Sequence, residues 1–257
     1  MAKNKLAAQL YTVRQFMKTP ADIAVTMKKI KKIGYNAVQL SGLGPIDPAE
    51  LKKITDGEDL EICATHVSYE RIMNETQKVI DEHKLWNCRY LGLGALPERY
   101  RESKEGYVTF VKEISPFVKK IADSGLIFVY HNHNFEFIKF DGQTALDIIL
   151  KESDPKSFNF EPDTYWIQSG GSEPAAYIRK LGKRAPVIHF KDMAIDLKER
   201  KQIMAEVGEG NLNWPGIIES CREVGAEWYI VEQDVCRRDP FESLAISLKN
   251  LNSMGVK

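Results

Sequence analysis

The chain has 257 residues, which is enough to bury a full hydrophobic core in one domain of barrel size. Its 36 Lys and Arg residues balance its 36 Asp and Glu residues, so the basic excess that is typical of nucleic-acid-binding proteins is absent and no nucleic-acid partner is expected. Hydrophobic residues make up 43% of the chain, which argues against a disordered or fibrous protein.

Short β-rich runs alternate with helical patterns along the chain. The eight candidate strands, in chain order, are LAAQLYTV, NAVQLS, LEICATHV, CRYLGLG, LIFVYHNH, SFNFEPD, PVIHFKD and EWYIVEQD. Besides a first helix near residue 20, helices are predicted at 69–86, 105–124, 173–181, 214–224 and 240–252, with weaker helical patterns at 44–57, 142–151 and after Asp192.

The first helix has the clearest boundaries. Thr19 is a suitable N-cap and Pro20 suits the first turn. Apolar residues recur at helical spacing, at Ile23, Met27 and Ile30. Gly34 predicts the end of this helix.

The alternation of strands and helices predicts parallel strands joined by helical crossovers. Eight such units in about 250 residues is the size of a (β/α)₈ TIM barrel. A doubly wound open sheet is the alternative. No Pro/Gly/Ser-rich linker, low-complexity tract or strong internal repeat divides the chain, so one domain is predicted for residues 1–257.

The sequence does not predict export or a membrane span. The stretch MAKNKLAAQLYTVR lacks the apolar core of a signal peptide, and no apolar run approaches the roughly 20 residues of a spanning helix. The cysteines, at Cys63, Cys88, Cys221 and Cys236, lie far apart without a CxxC pair, which indicates reduced thiols. We therefore expect a cytoplasmic protein with no membrane partner.

Several strands begin apolar and become polar at their C-terminal ends, which meet at one rim of a barrel. Because side chains alternate along a strand, three sets share a face: Asn159 with Glu161 and Asp163, His189 with Lys191, and Glu232 with Asp234. The inward face then offers Asp163, His189 and Glu232, and Glu136 follows the fifth strand closely enough to add a fourth group. Such a set suits Mn²⁺, with Zn²⁺, Co²⁺ or Mg²⁺ as alternatives.

The motifs YHNHNFEF, FEPDTYW, IHFKDM, VGEGNLNW and YIVEQD resemble those of the sugar phosphate isomerase/epimerase group of xylose isomerase-like barrels. The resemblance covers nearly the whole chain and extends to QLYTVR on the first strand and ATHVS on the third. It implies a (β/α)₈ barrel with a divalent cation, often Mn²⁺, that acts on keto-sugars through two metal-bound glutamates. Asp163, His189 and Glu232 match the ligand positions of this family.

The first ligand position departs from the family pattern. The ketose 3-epimerase branch has a strand glutamate followed three residues later by asparagine, where this chain has Tyr130 and His133. Glu136 matches a second, downstream glutamate of that branch. The inosose dehydratase branch, with an H-x-H strand end and a later ligand glutamate, is more similar here, so Glu136 is predicted as the ligand, with His131 or His133 as its replacement. Trp166 stands where many members carry a histidine.

Other polar and aromatic residues near the rim are candidates for catalysis or substrate binding. His66 is predicted to touch the substrate and Lys191 to face a substrate oxygen, with core packing and a structural ion pair as the alternatives. Substrate binding is predicted for Tyr11, His131, His133, Trp166 and Trp214. The motif VGEGNLNW lacks the spacing and lysine of a P-loop, so a structural turn is favoured over a phosphate site.

These residues predict proton transfer at a carbon next to a carbonyl. A metal would polarise the carbonyl while Glu136 and Glu232 take and return the proton, assisted by His66 and Lys191. The predicted protein is a sugar isomerase or epimerase, and loss of a β-hydroxyl would instead give an inosose dehydratase-like lyase. An endonuclease IV-like nuclease and a non-catalytic sugar-binding barrel are weaker alternatives. The expected partner is a small sugar or polyol, and homo-oligomerisation is left open.

Overall fold

The computed structural model describes residues 6–256, in which eight parallel strands form a nearly closed barrel surrounded by helices. The strands are Leu6–Gln9 (β1), Ala37–Leu40 (β2), Glu61–Val67 (β3), Tyr90–Leu93 (β4), Ile127–His131 (β5), Phe158–Glu161 (β6), Val187–Phe190 (β7) and Trp228–Val231 (β8). They pair in the order β6-β5-β4-β3-β2-β1-β8-β7. The predicted (β/α)₈ TIM barrel is confirmed, because β8 returns to pair with β1.

Helices connect successive barrel strands on the outside. They are Pro20–Ile33 (α1), Pro48–Gly57 (α2), Tyr69–Asn74 (α3), Thr76–Trp86 (α4), Lys104–Asp123 (α5), Ala145–Glu152 (α6), Thr164–Ser169 (α7), Pro174–Leu181 (α8), Trp214–Val224 (α9) and Pro240–Ser253 (α10). The 3₁₀ helices are Leu10–Phe16, Glu98–Tyr100, Phe135–Phe137 and Gly182–Arg184. Two antiparallel hairpins lie outside the barrel sheet. One pairs Lys139–Phe140 with Gln143–Thr144, and the other pairs Asp192–Asp196 with Lys201–Ala205. Among these described helices, none is long and apolar enough to cross a membrane.

Three predicted elements differ from the structure. The strand predicted over LAAQLYTV ends at Gln9, whose side chain accepts a hydrogen bond from the main chain two residues later and so starts the 3₁₀ helix Leu10–Phe16. The helix predicted over 69–86 is divided at Glu75, which has non-helical dihedral angles between α3 and α4. The stretch after Asp192 forms a hairpin rather than a helix.

The first helix begins and ends as predicted. The Thr19 N–H donates to Asp22 Oδ2 at 3.0 Å and the Asp22 N–H donates to Thr19 Oγ1 at 3.2 Å, which together form a capping box. Gly34, at a φ of 120°, ends the helix in a conformation that favours glycine. The apolar stripe, at Ile23, Met27 and Ile30, is buried against the barrel.

The inward side chains of the strands form a core of their own. Its members are Ala7, Ala37, Cys63, Ala64, Tyr90, Val129, Val187, Trp228 and Ile230. Except where the β2–β3 register shifts at Cys63, inward residues of a strand are two positions apart, so Val129 precedes His131, Val187 precedes His189 and Ile230 precedes Glu232. This apolar layer therefore places the polar side chains one level higher, at the C-terminal mouth of the barrel.

The barrel closes between β6 and β7 without a regular ladder. A single bridge joins Asp163 to His189, with the His189 N–H donating to Pro162 O at 2.9 Å. The Thr164 hydroxyl completes the closure: it accepts from the Lys191 N–H at 2.9 Å and lies 2.8 Å from Lys191 O and 3.1 Å from His189 O. Side-chain bonding thus fixes the two segments that carry Asp163, His189 and Lys191.

We predict that Thr164→Val lowers the free energy of unfolding by about 1–3 kcal/mol, because it leaves the buried Lys191 N–H without an acceptor. Thr55→Val is the matched control, since the buried Thr55 hydroxyl only bonds back to carbonyls of its own helix and adds less than about 0.5 kcal/mol. Urea unfolding measures both changes. Equal losses in the two variants would contradict a closing role for Thr164.

Candidate active site

A cavity of about 760 Å³ opens at the C-terminal ends of the strands. Its walls include Tyr11, Arg14, His66, Arg101, His131, His133, Trp166, Glu232 and Asp234. Asp163, His189 and Lys191 are almost fully buried and contact these wall residues. The fold therefore brings most of the sequence-predicted residues to one place.

A group of metal-ligating side chains converges at the base of this cavity. His131, Asp163, His189 and Glu232 each offer one ligand atom, and these atoms lie within 4.8 Å of one another. His131 ends β5, Asp163 follows β6, His189 lies in β7 and Glu232 follows β8. The convergence of Asp163, His189 and Glu232 agrees with the strand alternation in the sequence.

His131 presents a lone pair to a carboxylate. Its Nδ1 lies 3.0 Å from Gly94 O, an acceptor, so we assign the ring proton to Nδ1. Burial lowers the pKa of His131, aided by the nearby His189, so the ring is neutral. The unprotonated Nε2 of His131 then faces Asp163 Oδ2 at 3.2 Å, so these two acceptor atoms lie opposite each other without a proton between them. A cation at this point would satisfy both atoms, as in metal sites whose histidine donates its other N–H to a carbonyl.

His189 lies between two carboxylates. Its Nδ1 is 2.9 Å from Glu232 Oε2, and its Nε2 is 2.6 Å from Gln39 Oε1 and 3.2 Å from Glu161 Oε1. Burial acts to lower the pKa of His189, but the charges of Glu161 and Glu232 outweigh it and hold the pKa well above its usual range. With a cation at Nδ1, the Nε2 proton still has acceptors, so the donor set of two imidazoles and two carboxylates fits a divalent ion.

Glu136 lies outside this group. Its fully buried carboxylate accepts from the Tyr130 hydroxyl at 2.5 Å and from the His133 N–H at 2.9 Å. Tyr130 points outward from β5 and packs on Phe110 and Phe158, so it holds Glu136 on the outer side of the strand. The geometry thus favours His131, the inward residue of β5, for the position that the sequence assigned to Glu136.

Glu161 was not among the sequence-predicted site residues. It is fully buried, accepts from Gln39 Nε2 at 2.8 Å and lies 2.6 Å from His66 Nε2. Burial acts to raise the pKa of Glu161, but the charges of His189 and His66 outweigh it and lower the pKa. The alternation that places Glu161 on the face of Asp163 was the signal that could have identified it.

Gly92 in β4 and Gly94 just after this strand leave space for the His66 ring. A Cβ on Gly92 would lie 3.0 Å from His66 Cδ2 and 2.5 Å from Thr65 O, and a Cβ on Gly94 would lie 2.9 Å from His66 Nδ1. The ring is therefore confined between these glycines and Glu161. His66 therefore reaches the cavity wall in one defined orientation.

A row of planar side chains lies along one side of the cavity, and Arg101, His133 and Trp166 belong to the cavity wall. The Arg101 guanidinium lies 3.9 Å from the Phe135 ring, Phe135 stacks on His133, and His133 lies against Trp166 with ring centroids 5.4 Å apart. Burial lowers the pKa of His133 to about 2, so this ring is neutral. Flat surfaces with neutral polar edges suit the faces and hydroxyls of a sugar. Tyr11 contributes another exposed ring to the cavity.

Trp214, predicted to stack on a substrate, lies away from the cavity. It is buried against Phe190, and its Nε1–H donates to Asp192 Oδ2 at 2.6 Å. The main chain of VGEGNLNW surrounds the same carboxylate, with Gly208 and Gly210 N–H groups donating at 2.9 and 3.1 Å. This motif therefore acts as a structural turn, as its glycine spacing indicated.

Comparisons with known proteins support the architecture. A family model described as the xylose isomerase-like TIM barrel matches residues 27–253. An inosose dehydratase of Geobacillus thermodenitrificans (strain NG80-2) is 27% identical over 137 residues, which is 47% of this chain and 45% of that protein, or less than half its length. The rhizopine catabolism protein MocC of Rhizobium meliloti is 22% identical over 266 residues, covering 90% of this chain and 81% of that protein. A crystal structure of a sugar phosphate isomerase/epimerase from Parabacteroides distasonis ATCC 8503 superposes with a TM-score of 0.84 at 22% identity, covering 100% of this chain and 96% of that one.

The buried Glu136 predicts a pH dependence of stability. Burial raises its pKa from 4.5 to about 7, although hydrogen bonds from Tyr130 and His133 oppose the change. The native state then binds this proton more tightly than the unfolded chain, so its stabilising effect is complete below pH 4.5 and is lost as the pH rises towards 7. We predict that Glu136 contributes a loss on the order of 3 kcal/mol to the free energy of unfolding across this range.

Glu136→Gln removes the titrating group and should flatten this pH dependence. The measurement is urea unfolding of both proteins at several pH values between about 4.5 and 7. Parallel pH profiles for wild type and variant would show that Glu136 does not titrate in this range.

Proposed function

This chain belongs to the xylose isomerase-like TIM barrel family, and we propose that it is a divalent-metal-dependent sugar isomerase or epimerase. The observation that carries the proposal is the convergence of His131, Asp163, His189 and Glu232 at the base of an open cavity. The substrate would be a keto-sugar or related polyol, and Mn²⁺ is the ion we favour.

A divalent ion bound by these four residues would supply a Lewis acid for the carbonyl oxygen of the substrate. We assign to Glu232 the role of accepting the proton from the neighbouring carbon, because it lines the cavity. Burial acts to raise the pKa of Glu232, but the charges of Lys191 and His189 outweigh it and keep the carboxylate ionised.

His66 is the second proton-transfer group that we propose, in preference to Glu136. It lines the cavity, and Glu161 holds its Nε2 at 2.6 Å. Glu136, in contrast, is engaged by Tyr130 on the far side of β5. Proton return to the same carbon from the other face gives epimerisation, and return to the adjacent carbon gives an aldose–ketose shift.

A dehydratase is the second candidate. The similarity to an inosose dehydratase over 137 residues favours it. The His66–Glu161 pair would then protonate a hydroxyl that leaves from the carbon next to the site of proton abstraction. The two candidates share the first step and differ in whether water is lost.

We predict that the Mn²⁺-loaded protein exchanges a substrate C–H for deuterium in D₂O when it is incubated with a panel of keto-sugars and keto-polyols. NMR locates the exchanged position and identifies the product as an isomer, an epimer or a dehydrated compound. Loss of water with formation of an unsaturated ketone would select the dehydratase. No exchange with any compound of the panel would count against proton transfer.

Three variants assign the proton-transfer groups. Glu232→Gln and His66→Asn should each reduce exchange by about 10²–10⁴-fold, because each removes an acid or base. Glu136→Gln should retain exchange, because its carboxylate does not face the cavity. Metal analysis of each variant shows whether a loss follows from the missing proton carrier or from the missing ion. Full exchange in Glu232→Gln, or loss confined to Glu136→Gln, would reverse the assignment.

A further inference from the structure

The Lys191 ammonium lies among three carboxylates at the base of the cavity. Its Nζ is 3.0 Å from Asp163 Oδ2, 2.8 Å from Glu232 Oε2 and 2.9 Å from Asp234 Oδ2. The side chain is 1% exposed, so the charge is shielded from water. A buried ammonium is stable only with such partners.

Two of these oxygens are also the candidate metal ligands. Asp163 Oδ2 faces His131 Nε2 at 3.2 Å, and Glu232 Oε2 faces His189 Nδ1 at 2.9 Å. In the part of the chain that the structure describes, no other Lys or Arg side chain makes an ion pair with Asp163 or Glu232. Lys191 therefore places a positive charge at the same point where a divalent ion would bind.

We propose that Lys191 is an internal counter-cation that offsets part of the negative charge of Asp163 and Glu232 in the absence of metal and thereby weakens metal binding. Asp234 would retain the ammonium when an ion takes over the other two carboxylates. This inference rests on the proposed metal site, and it identifies Lys191 as the residue that sets the affinity of this site for a divalent ion.

The electrostatics support this competition. Burial acts to raise the pKa of Asp163, but the Lys191 charge together with the hydrogen bonds to His131 and His189 outweighs it and holds the pKa well below its usual range. An ammonium and a divalent ion that share the same two oxygens repel one another at short range. Asp234 offers a position that avoids this conflict, because it contacts Lys191 and is not a member of the four-residue ligand group.

Lys191→Met tests the proposal directly, since it removes the charge and keeps the length of the side chain. Chelated protein is titrated with MnCl₂ alone by calorimetry, and its melting temperature is measured with and without Mn²⁺. We expect Mn²⁺ to bind at least about tenfold more tightly than in wild type, because the competing charge is gone. In chelator the variant should melt at a lower temperature than wild type. Addition of Mn²⁺ should raise the melting temperature of the variant more than that of wild type.

Asp234→Asn keeps the test decisive if Lys191→Met does not fold without metal. In Asp234→Asn, the Lys191 ammonium has no carboxylate left to pair with once Mn²⁺ occupies Asp163 and Glu232. Mn²⁺ should therefore bind at least about tenfold more weakly than in wild type. Glu98→Gln is the matched control, because it removes a cavity-lining carboxylate that forms none of the three ion pairs of Lys191, and it should change the affinity less than about twofold.

The outcomes separate the role of Lys191 from the metal site itself. If wild type binds Mn²⁺ and Lys191→Met binds it equally or more weakly, the counter-cation role is overturned and the metal site remains. An equal effect of Asp234→Asn and Glu98→Gln would also overturn it. If wild type does not bind Mn²⁺ at all, the proposed metal site fails together with this inference.

Discussion

Three carboxylates are buried at the ends of β6 and β8, and the whole site depends on offsetting their charge. Glu161 and Asp163 are fully buried and Glu232 is 4% exposed. An ionised carboxylate in such surroundings is strongly unfavourable without a cation or several hydrogen bonds. His189 bridges Glu161 and Glu232, and Lys191 bridges Asp163 and Glu232. These side chains allow the barrel to fold around the acids, and in our proposal they also set how strongly the site binds a divalent ion.

The irregular closure of the barrel allows Asp163 to serve two purposes. Pro162 has no N–H, so the chain leaves the β6 ladder there and starts α7 directly. Asp163 caps this helix through Oδ1, which accepts the Trp166 N–H at 2.9 Å, and turns Oδ2 towards His131 and Lys191. Helix capping therefore fixes the orientation of a candidate ligand, and it also places the Trp166 ring at the cavity wall.

Strand alternation and the order of elements predict much of this site. They place Asp163, His189 and Glu232 on the inward face, because a buried strand leaves its side chains few orientations. The same rule places His131 inward and Tyr130 outward, whereas the sequence prediction assigned the fourth ligand to Glu136, just past the strand, and kept His131 or His133 as its replacement. Loops obey no such period. The position of Trp214 and the hairpin after Asp192 depend on tertiary contacts that sequence spacing does not reveal.

The adjacent pair Lys191 and Asp192 shows how one strand end organises both the site and its surroundings. Alternation sends Lys191 into the barrel and Asp192 to the other side, where the N–H groups of the loop at 206–214 surround its carboxylate. Gly210 is required for this approach, since a Cβ there would lie 2.4 Å from Asp192 Oδ1. A glycine-rich loop of donors can thus be occupied by a carboxylate of its own chain, which leaves it no capacity for a phosphate group. The N–H donors of this loop therefore serve the architecture of the barrel mouth, while the cationic and carboxylate groups that face inward form the candidate site.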